Sequence, residues 1–346
     1  MTRVAFLPDW RIGNNYQSSL AHALQAEGVE VVFPTGYRRV LPLTRSDFGD
    51  AALLHLHWPE PYFAPRRDRF SAARRLRFFL DLRLATRRRP LIYTAHNMGP
   101  HNREDHWIIQ HVYRTVLARS AGVIAHSVRA AEKLIEFCPA VERAVHVMPH
   151  GDAAGDFPAL PDAALARHEL GLASGERVVL IFGRAEPYKG LEEIVTAWSR
   201  LHPTARLWIA GAPQSPAFSE ALHQLGAGNP RITFELTWLD PKALATRLAA
   251  ADAVLFNYRR IFTSGAGCLA RSLGRKIVLP SQADTVDLME PSPTVFRFRD
   301  LQDLSAVIAR AVIAPPEPSG TTTWRAATSW QVVANKTAAI YRAALR

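Results

Sequence analysis

The sequence predicts an α/β protein with two domains, each a doubly wound parallel sheet, that face a common cleft. The chain has 346 residues, which is enough for two domains of ordinary size. Short apolar runs rich in β-branched residues alternate with segments of helical periodicity along the whole chain. This alternation is typical of parallel sheets covered by helices on both faces. A stretch rich in Gly, Pro, Ala and Asp, residues 151–165, interrupts the pattern near the middle.

The expected strands follow one another in two sets. The first half contains the runs RVAFLP, VEVVFP, AALLHLHW, PLIYTAH, GVIAHS and AVHVMPH. The second half contains RVVLIFG, ARLWIAG, ITFEL, AVLFNY and KIVLP, and the chain ends in an amphipathic helix. We therefore expect Rossmann-like domains at residues 1–150 and 166–325, a linker at 151–165, and a C-terminal helix at 326–346 that packs back on the first domain.

Composition narrows the classes of protein that the chain can belong to. It contains no run of 18 or more apolar residues, so no membrane-spanning helix is expected. A strand begins almost at the first residue, so no signal peptide is expected either. Only two cysteines occur, Cys138 and Cys268, and neither a disulfide framework nor a metal site is expected from them. A cytoplasmic protein without a bound metal is the simplest interpretation.

The positive charge is concentrated in one segment. The formal net charge is +11, and the segment Arg66 to Arg89 holds ten arginines against two aspartates. Phenylalanines and leucines recur in it at roughly helical spacing. Three interpretations stay open: a solvated basic helix face, a helix lying on an anionic membrane surface with its phenylalanines toward the lipid, and a nucleic-acid contact. The last is disfavoured because no aromatic stacking platform or recognition motif accompanies it.

The segment GRAEPYKG joins a strand to a helix in the second half. It carries Arg184 and Lys189 beside two glycines. Guanidinium and ammonium groups bind phosphate oxygens, and glycines allow close approach of the backbone to a ligand. Since ligands bind at the carboxyl ends of strands in open α/β sheets, the segment predicts a diphosphate site. The alternative is an ordinary loop with two surface cations.

A second segment predicts an anion-ready helix terminus. The strand AVLFNY is followed by a polar loop and then by Thr263, Ser264 and Gly265 at the start of a small-residue helix. The first amides of a helix have no intrahelical acceptor, so they can bind a phosphate. Simple N-capping by Thr263 or Ser264 is the alternative. Tyr188, Tyr258 and Trp238 are the remaining candidates for contacts with a nucleotide diphosphate, with Trp238 near the nucleobase.

Several segments, in order along nearly the whole chain, resemble one enzyme family. They are LPDWRIGNNYQSSLAHAL, LLHLHWPEP, LIYTAHNMGPHN, VIAHS, VMPHGDAAGDFP, FGRAEPYKGLEEIV and TSGAGCLARSLGRKIVLP. Together they resemble GT-B glycosyltransferases, and in particular the bacterial exopolysaccharide branch that includes xanthan-type β-mannosyltransferases. The resemblance implies that the second domain binds the nucleotide-sugar donor, with Arg184 and Lys189 on its diphosphate and the Ser264 and Gly265 amides on its distal phosphate. It also implies that the first domain binds the acceptor.

One departure from the family bears on stereochemistry. Many retaining GT-B enzymes carry two glutamates, eight residues apart, at positions that correspond to Ile261 and Leu269 here. Neither side chain can hydrogen-bond a hydroxyl group, so an inverting displacement is expected, with a base that deprotonates the acceptor. Asp9, Glu60 and His96 each follow a strand of the first domain and are the candidates for that base. No Asp-x-Asp motif occurs, which favours metal-independent transfer.

The expected function is therefore metal-independent transfer of mannose from GDP-mannose, with inversion, to a glycan acceptor in polysaccharide biosynthesis. The acceptor could be linked to polyprenyl diphosphate, and the enzyme would then work peripherally on the inner face of the cell membrane. No cofactor other than the nucleotide sugar and no nucleic-acid partner is expected. The alternatives are a retaining transferase that uses a UDP-sugar, a nucleotide-sugar epimerase on the same fold, and a non-enzymatic membrane or nucleic-acid binder.

Overall fold

The computed structural model describes residues 1–12, 15–34, 41–44, 50–63, 71–97, 107–201, 205–257, 262–282 and 292–346. The chain divides into two compact units. Unit 1 comprises Met1–Gly151 and Ala327–Arg346, and unit 2 comprises Asp152–Ala326. Both units contain a six-stranded, wholly parallel sheet with helices, so the predicted doubly wound α/β class is confirmed.

Unit 1 contains the strands in the order β2-β1-β3-β4-β5-β6. The strands are β1 (Thr2–Leu7), β2 (Val29–Val32), β3 (Leu53–Leu56), β4 (Leu91–Thr94), β5 (Gly122–Ala125) and β6 (Val145–Val147). The helices are α1 (Asn15–Gln25), α2 (Glu60–Phe63), α3 (Ser71–Arg88), α4 (Trp107–Arg119) and α5 (Val128–Phe137), followed by a 3₁₀ segment at Pro139–Ala144.

The C-terminal helix (Trp330–Ala344, α13 in chain order) completes the core of unit 1. It packs against α1, and Tyr341 and Val333 are buried in the same apolar cluster as Leu20, Leu24 and Phe6. The central strands β3, β4 and β5 are buried along their whole length. Full burial on both faces explains why these runs are apolar without alternation.

Unit 2 contains the strands in the order β12-β11-β10-β7-β8-β9. The strands are β7 (Arg177–Phe182), β8 (Ala205–Ala210), β9 (Ile232–Glu235), β10 (Ala253–Leu255), β11 (Ile277–Pro280) and β12 (Val295–Phe298). The helices before α13 are α6 (Ala163–Glu169), α7 (Leu191–Leu201), α8 (Pro216–Leu225), α9 (Pro241–Ala250), α10 (Gly265–Ser272), α11 (Leu301–Ile313) and α12 (Pro318–Ala327).

Two features of unit 2 go beyond the sequence prediction. The strand β12 was not predicted, because VFRF is a short edge strand with an exposed arginine rather than an apolar run. The segment expected as a linker lies within unit 2, where Phe157 and Leu160 pack against the apolar cluster on one face of the sheet. Trp198 is buried on the other face, and its indole Nε1 donates to the Ala205 carbonyl at 3.0 Å.

The arginine-rich helix α3 differs from expectation in the side chains that it exposes. Phe78 is 1% exposed and lies against the rings of Tyr62 and Phe63, so it belongs to the core rather than to a lipid-facing stripe. The exposed apolar residues are instead Leu76 (71%) and Leu80 (51%), one turn apart. Residues 66–70 of the arginine run lie outside the described residues. No helix among the described residues is long and apolar enough to cross a membrane.

Candidate active site

The loop after β7 brings the diphosphate-binding candidates of unit 2 into one place. The chain leaves the strand through Gly183 (φ 82°) and enters α7 through Gly190 (φ 63°), both in the left-handed region that favours glycine. A Cβ on Gly183 would lie 3.3 Å from Lys189 Nζ and 4.0 Å from the Ala266 side chain. The lysine ammonium and the first turn of α10 therefore both adjoin this glycine.

Lys189 is only 7% exposed although it carries a charge. Within the described part of the chain its ammonium donates a single hydrogen bond, to the Phe182 carbonyl at the long distance of 3.4 Å. Burial lowers the pKa of Lys189 from 10.5 to about 8, while Glu186 acts weakly in the opposite direction. Burial of an ammonium group with one weak acceptor destabilises the ligand-free protein. An anionic ligand would supply the charge that the ammonium lacks.

The other members of the loop are arranged around Lys189. Arg184 is mostly exposed, and its Nε lies 3.1 Å from Glu186 Oε1. Burial raises the pKa of the Tyr188 hydroxyl to about 12, and the ring packs against the core below the loop. Asn257, two residues beyond the end of β10, donates its side-chain amide to the Gly190 carbonyl at 3.0 Å and to Glu193 at 3.1 Å. Asn257 was not among the predicted site residues, although its position at a strand end could have marked it.

The N-terminus of α10 has the arrangement expected of an anion-binding turn. Ser264 is the N-cap, and its hydroxyl accepts from the Gly267 amide at 2.9 Å, so the capping interpretation of its side chain is correct. The amides of Gly265 and Ala266 belong to the first turn, which has no intrahelical acceptor. Open space lies where a Cβ on Gly265 would point. Thr263 Oγ1 is buried and has no hydrogen-bond partner among the described residues.

Besides Tyr188, unit 2 has two aromatic candidates, Trp238 and Tyr258, of which only Trp238 is described. Trp238 is 73% exposed in the loop after β9, so its ring is not needed for packing and is accessible to a planar ligand. Tyr258 lies outside the described residues, as does Ile261. Leu269 is described, and its side chain packs against the core under α10, where it offers no hydrogen bond to a sugar.

In unit 1, five imidazole rings gather at the carboxyl ends of the strands. We call them the histidine cluster: His55, His57, His96, His126 and His150. Tyr16 of α1 lies among them, with its ring 4.8 to 5.7 Å from four of the five rings. His55 is held by Tyr341 (2.6 Å) and Thr94 (2.7 Å). Because β-strand ends converge at one sheet edge, residues almost a hundred positions apart share one cluster.

Burial lowers the pKa of the cluster histidines, well below 6.5 for His57 and His96 and to about 3 for His126. These rings are therefore neutral near pH 7 and each has one nitrogen that can accept a proton. Five histidines in one place suggest a metal, but no group of three or more His, Cys, Asp or Glu in the described part of the chain is arranged to hold one.

His96, the predicted base that follows β4, is partly accessible and is oriented by its neighbours. Its Nε2 lies 3.3 Å from His57 Nδ1. Trp58 stacks on its face at 4.3 Å with 14° between the ring planes, and Trp10 stacks on Trp58 at 5.0 Å. Two indoles and a buried histidine thus restrict the ring to one orientation.

The other two predicted bases make different contacts. Asp9 forms an ion pair with Arg11 at 2.9 Å, and hydrogen bonding to this guanidinium lowers the pKa of Asp9. Glu60, at the start of α2, accepts a hydrogen bond from the Tyr113 hydroxyl. Burial raises the pKa of Glu60. Its second oxygen, Oε2, is buried with no hydrogen-bond partner among the described residues.

Comparison with known proteins gives relatives of one enzymatic class. No protein-family model matches the chain. A GDP-mannose:glycolipid 4-beta-D-mannosyltransferase of Xanthomonas campestris pv. campestris is 26% identical over 276 residues, which are 77% of this chain and 73% of that protein. Among solved structures, sucrose-phosphate synthase from Thermosynechococcus elongatus superposes with a TM-score of 0.71 at 16% identity, over 99% of this chain and 98% of that one.

A second solved structure, Anabaena HepE in complex with UDP-glucose, superposes with a TM-score of 0.65 at 17% identity, over 99% of this chain and 97% of that one. At these identities the solved structures show a shared fold. The two parallel sheets, the glycosyltransferase relative and the solved structures all indicate the same class of enzyme. The chain is a glycosyltransferase with the GT-B fold.

Proposed function

We propose that this glycosyltransferase moves mannose from GDP-mannose to a lipid-linked glycan, with inversion at the anomeric carbon. Unit 2 would bind the donor, and unit 1 would supply the acceptor contacts and the base. The observation that carries the proposal is Lys189: a nearly buried ammonium with one long hydrogen bond, beside the first turn of α10. A diphosphate supplies the negative charge that this environment lacks.

The proposed role of the Lys189 and Arg184 cations is to stabilise the nucleoside diphosphate leaving group. As the glycosidic bond to the donor phosphate breaks, negative charge grows on the diphosphate oxygens. The Lys189 ammonium and the free amides of Gly265 and Ala266 are fixed before reaction, so they stabilise that charge without reorganisation. Arg184 is exposed and would exchange part of its contact with Glu186 for a phosphate oxygen. Trp238 would stack on the nucleobase. Tyr188 and Tyr258 remain candidates for donor contacts, and so does Thr263 through its unpartnered hydroxyl.

For the acceptor, His96 is the best-supported base. The acceptor hydroxyl would lose its proton to the neutral imidazole while its oxygen attacks the anomeric carbon. Asp9 is a poorer candidate because its carboxylate is already engaged in an ion pair with Arg11 at 2.9 Å. Glu60 is more basic than an ordinary carboxylate, but one of its oxygens is occupied by Tyr113. The absence of a hydrogen-bonding side chain at Leu269 supports an inverting route.

The donor is supported by a relative of modest identity. The Xanthomonas protein is named for GDP-mannose and a glycolipid acceptor, whereas HepE was solved with UDP-glucose. A UDP-sugar is therefore the alternative donor. The glycolipid in the relative's name, together with exposed leucines and arginines on α3, supports a lipid-linked acceptor such as a polyprenyl diphosphate glycan at an anionic membrane surface.

A donor panel tests the proposal. GDP-mannose, GDP-fucose, UDP-glucose and UDP-galactose are each added to the purified protein, and thermal stability is measured alongside release of the nucleoside diphosphate. A bound donor stabilises by mass action, so GDP-mannose should raise Tm most and be hydrolysed or transferred fastest. If only the UDP-sugars raise Tm, the donor is a UDP-sugar and not GDP-mannose. If no nucleotide sugar raises Tm or is turned over, the donor site is refuted.

A further inference from the structure

Unit 2 has a second concave site at the other edge of its sheet. The donor candidates follow the carboxyl ends of β7 and β10. At the amino ends of β7, β10 and β11 there is a cavity of about 350 Å³. Its size is near the lower end of small-molecule pockets. The charged residues in its lining are Arg167, Arg177, Arg275, Lys276, Glu176 and Asp252.

The lining has more positive than negative charge, because four cations face two carboxylates. Both carboxylates already have cationic partners. Asp252 binds Arg177 at 3.0 Å and the Val178 amide at 2.8 Å. Glu176 binds Arg206 at 2.6 Å, and Arg206 does not line the cavity.

The remaining cations are held mainly by backbone oxygens. Arg275 donates from Nη1 to the Leu248 carbonyl at 2.9 Å, and its Nε is buried without a hydrogen-bond partner among the described residues. Lys276 donates to the carbonyls of Val312 and Ala314 at 3.1 and 3.0 Å. Burial lowers the pKa of both side chains. Carbonyls at helix C-termini carry only partial negative charge, so they compensate a full positive charge incompletely.

We propose that this cavity is a second binding site, for a small molecule that carries a phosphate or diphosphate group. Arg275 and Arg177 would hold the phosphate oxygens, since the guanidinium fork matches them in geometry and charge. The site lies at the opposite edge of the same sheet from Lys189, so the donor does not occupy it. A ligand there would contact α6, the end of α9, the start of β7 and the residues just before β11.

Calorimetric titration with inorganic diphosphate tests the site. The full-length Lys189→Ala protein is used, so that the donor site contributes as little as possible. We expect one saturable binding event. Adding Arg275→Gln or Arg177→Gln should weaken it by roughly tenfold or more, the effect of losing one charge-assisted contact. Arg231→Gln is the control, because it removes the same charge from an exposed residue that does not line the cavity.

Two results would overturn the proposal: no saturable heat, or the same affinity in the Arg275→Gln, Arg177→Gln and Arg231→Gln proteins. In either case the cations serve only to bind the carboxylate and carbonyl groups that they contact in the free protein. Circular dichroism checks that each variant folds. If Arg275→Gln does not, Arg177→Gln decides the question, because the Arg177 side chain is nearly half exposed and its loss leaves the core intact.

Discussion

At the scale of a single residue, Lys189 is a cation that the protein buries almost completely. Its pKa is lowered by burial to about 8, so the free protein loses this charge just above neutral pH. The donor diphosphate should bind the ammonium form and not the amine. We expect the KM for the donor to be constant well below pH 8 and to rise by up to about tenfold per pH unit above it.

Steady-state kinetics across this pH range measure the effect. The Lys189→Ala protein should have a high donor KM that does not depend on pH in the same range. A wild-type KM without an inflection near pH 8 would show that Lys189 does not bind the donor.

The same residue should be unfavourable for folding. We expect Lys189→Met to raise the free energy of unfolding at pH 7 by about 1–3 kcal/mol, because it removes a buried charge while filling a similar volume. The wild-type penalty is present below the folded pKa of about 8 and fades as pH rises toward the unfolded value of 10.5. The advantage of methionine should therefore shrink at high pH.

Urea unfolding at two pH values measures this difference. Donor affinity should fall in the same variant. A variant that loses stability at pH 7 would mean that the lysine has contacts in the free protein which outweigh the cost of its burial.

His96 is the residue on which the acceptor proposal depends. We expect His96→Gln to lower kcat by about 10²- to 10⁴-fold, the usual range for a lost general base, with little change in donor KM. Asp9→Asn and Glu60→Gln are the matched comparisons, since each removes a proton acceptor with a small change in size. A larger loss of kcat in either of them would move the role of base to that carboxylate.

At the scale of an element, α3 packs one face against the core of unit 1 and exposes the other. Its phenylalanine at position 78 and Asp81 face the interior, where the Asp81 carboxylate accepts from the amides of Leu43 and Thr44 at 2.8 and 2.9 Å. Leu76, Leu80 and Arg83 are exposed at helical spacing on the other side. Exposed leucines flanked by arginines suit the interface of an anionic bilayer.

We expect the protein to sediment with anionic vesicles at low salt and to be released from them as added salt screens the arginines of α3. Leu76→Ser with Leu80→Ser should weaken binding about a hundredfold, because each leucine contributes on the order of 1.5 kcal/mol, or about tenfold, when it leaves water. The control is Leu165→Ser with Leu225→Ser, which changes two exposed leucines on other helices. Equal vesicle binding by the two double variants would refute a role for α3.

At the scale of the whole molecule, the prediction concerns the configuration of the anomeric carbon in the product. An inverting transferase makes one displacement and needs one base. At one of the two positions where many retaining GT-B enzymes carry glutamate, this chain has Leu269, an apolar residue that packs against the core. From an α-linked donor we expect a β-linked product. The anomeric proton signal of the isolated product measures this directly, and an α signal would mean that the reaction proceeds with retention.

Sequence reasoning was sufficient for the class of fold. Eleven of the twelve strands follow from apolar runs, because burial on both faces of a parallel sheet leaves a local signature. The edge strand Val295–Phe298 lacks that signature and was missed. Arg184, Lys189 and Ser264 are predicted site residues because glycines and polar residues after a strand are typical of a ligand-binding edge.

What the tertiary structure alone decided was the environment of those residues. The burial of Lys189, the pairing of Asp9 with Arg11 and the partners of Glu60 depend on neighbours that local periodicity does not encode. The histidine cluster and the basic cavity of unit 2 likewise assemble residues from distant strands and helices. Periodicity reports which face of an element is apolar, whereas the charge and pKa of a group depend on which distant segments pack around it.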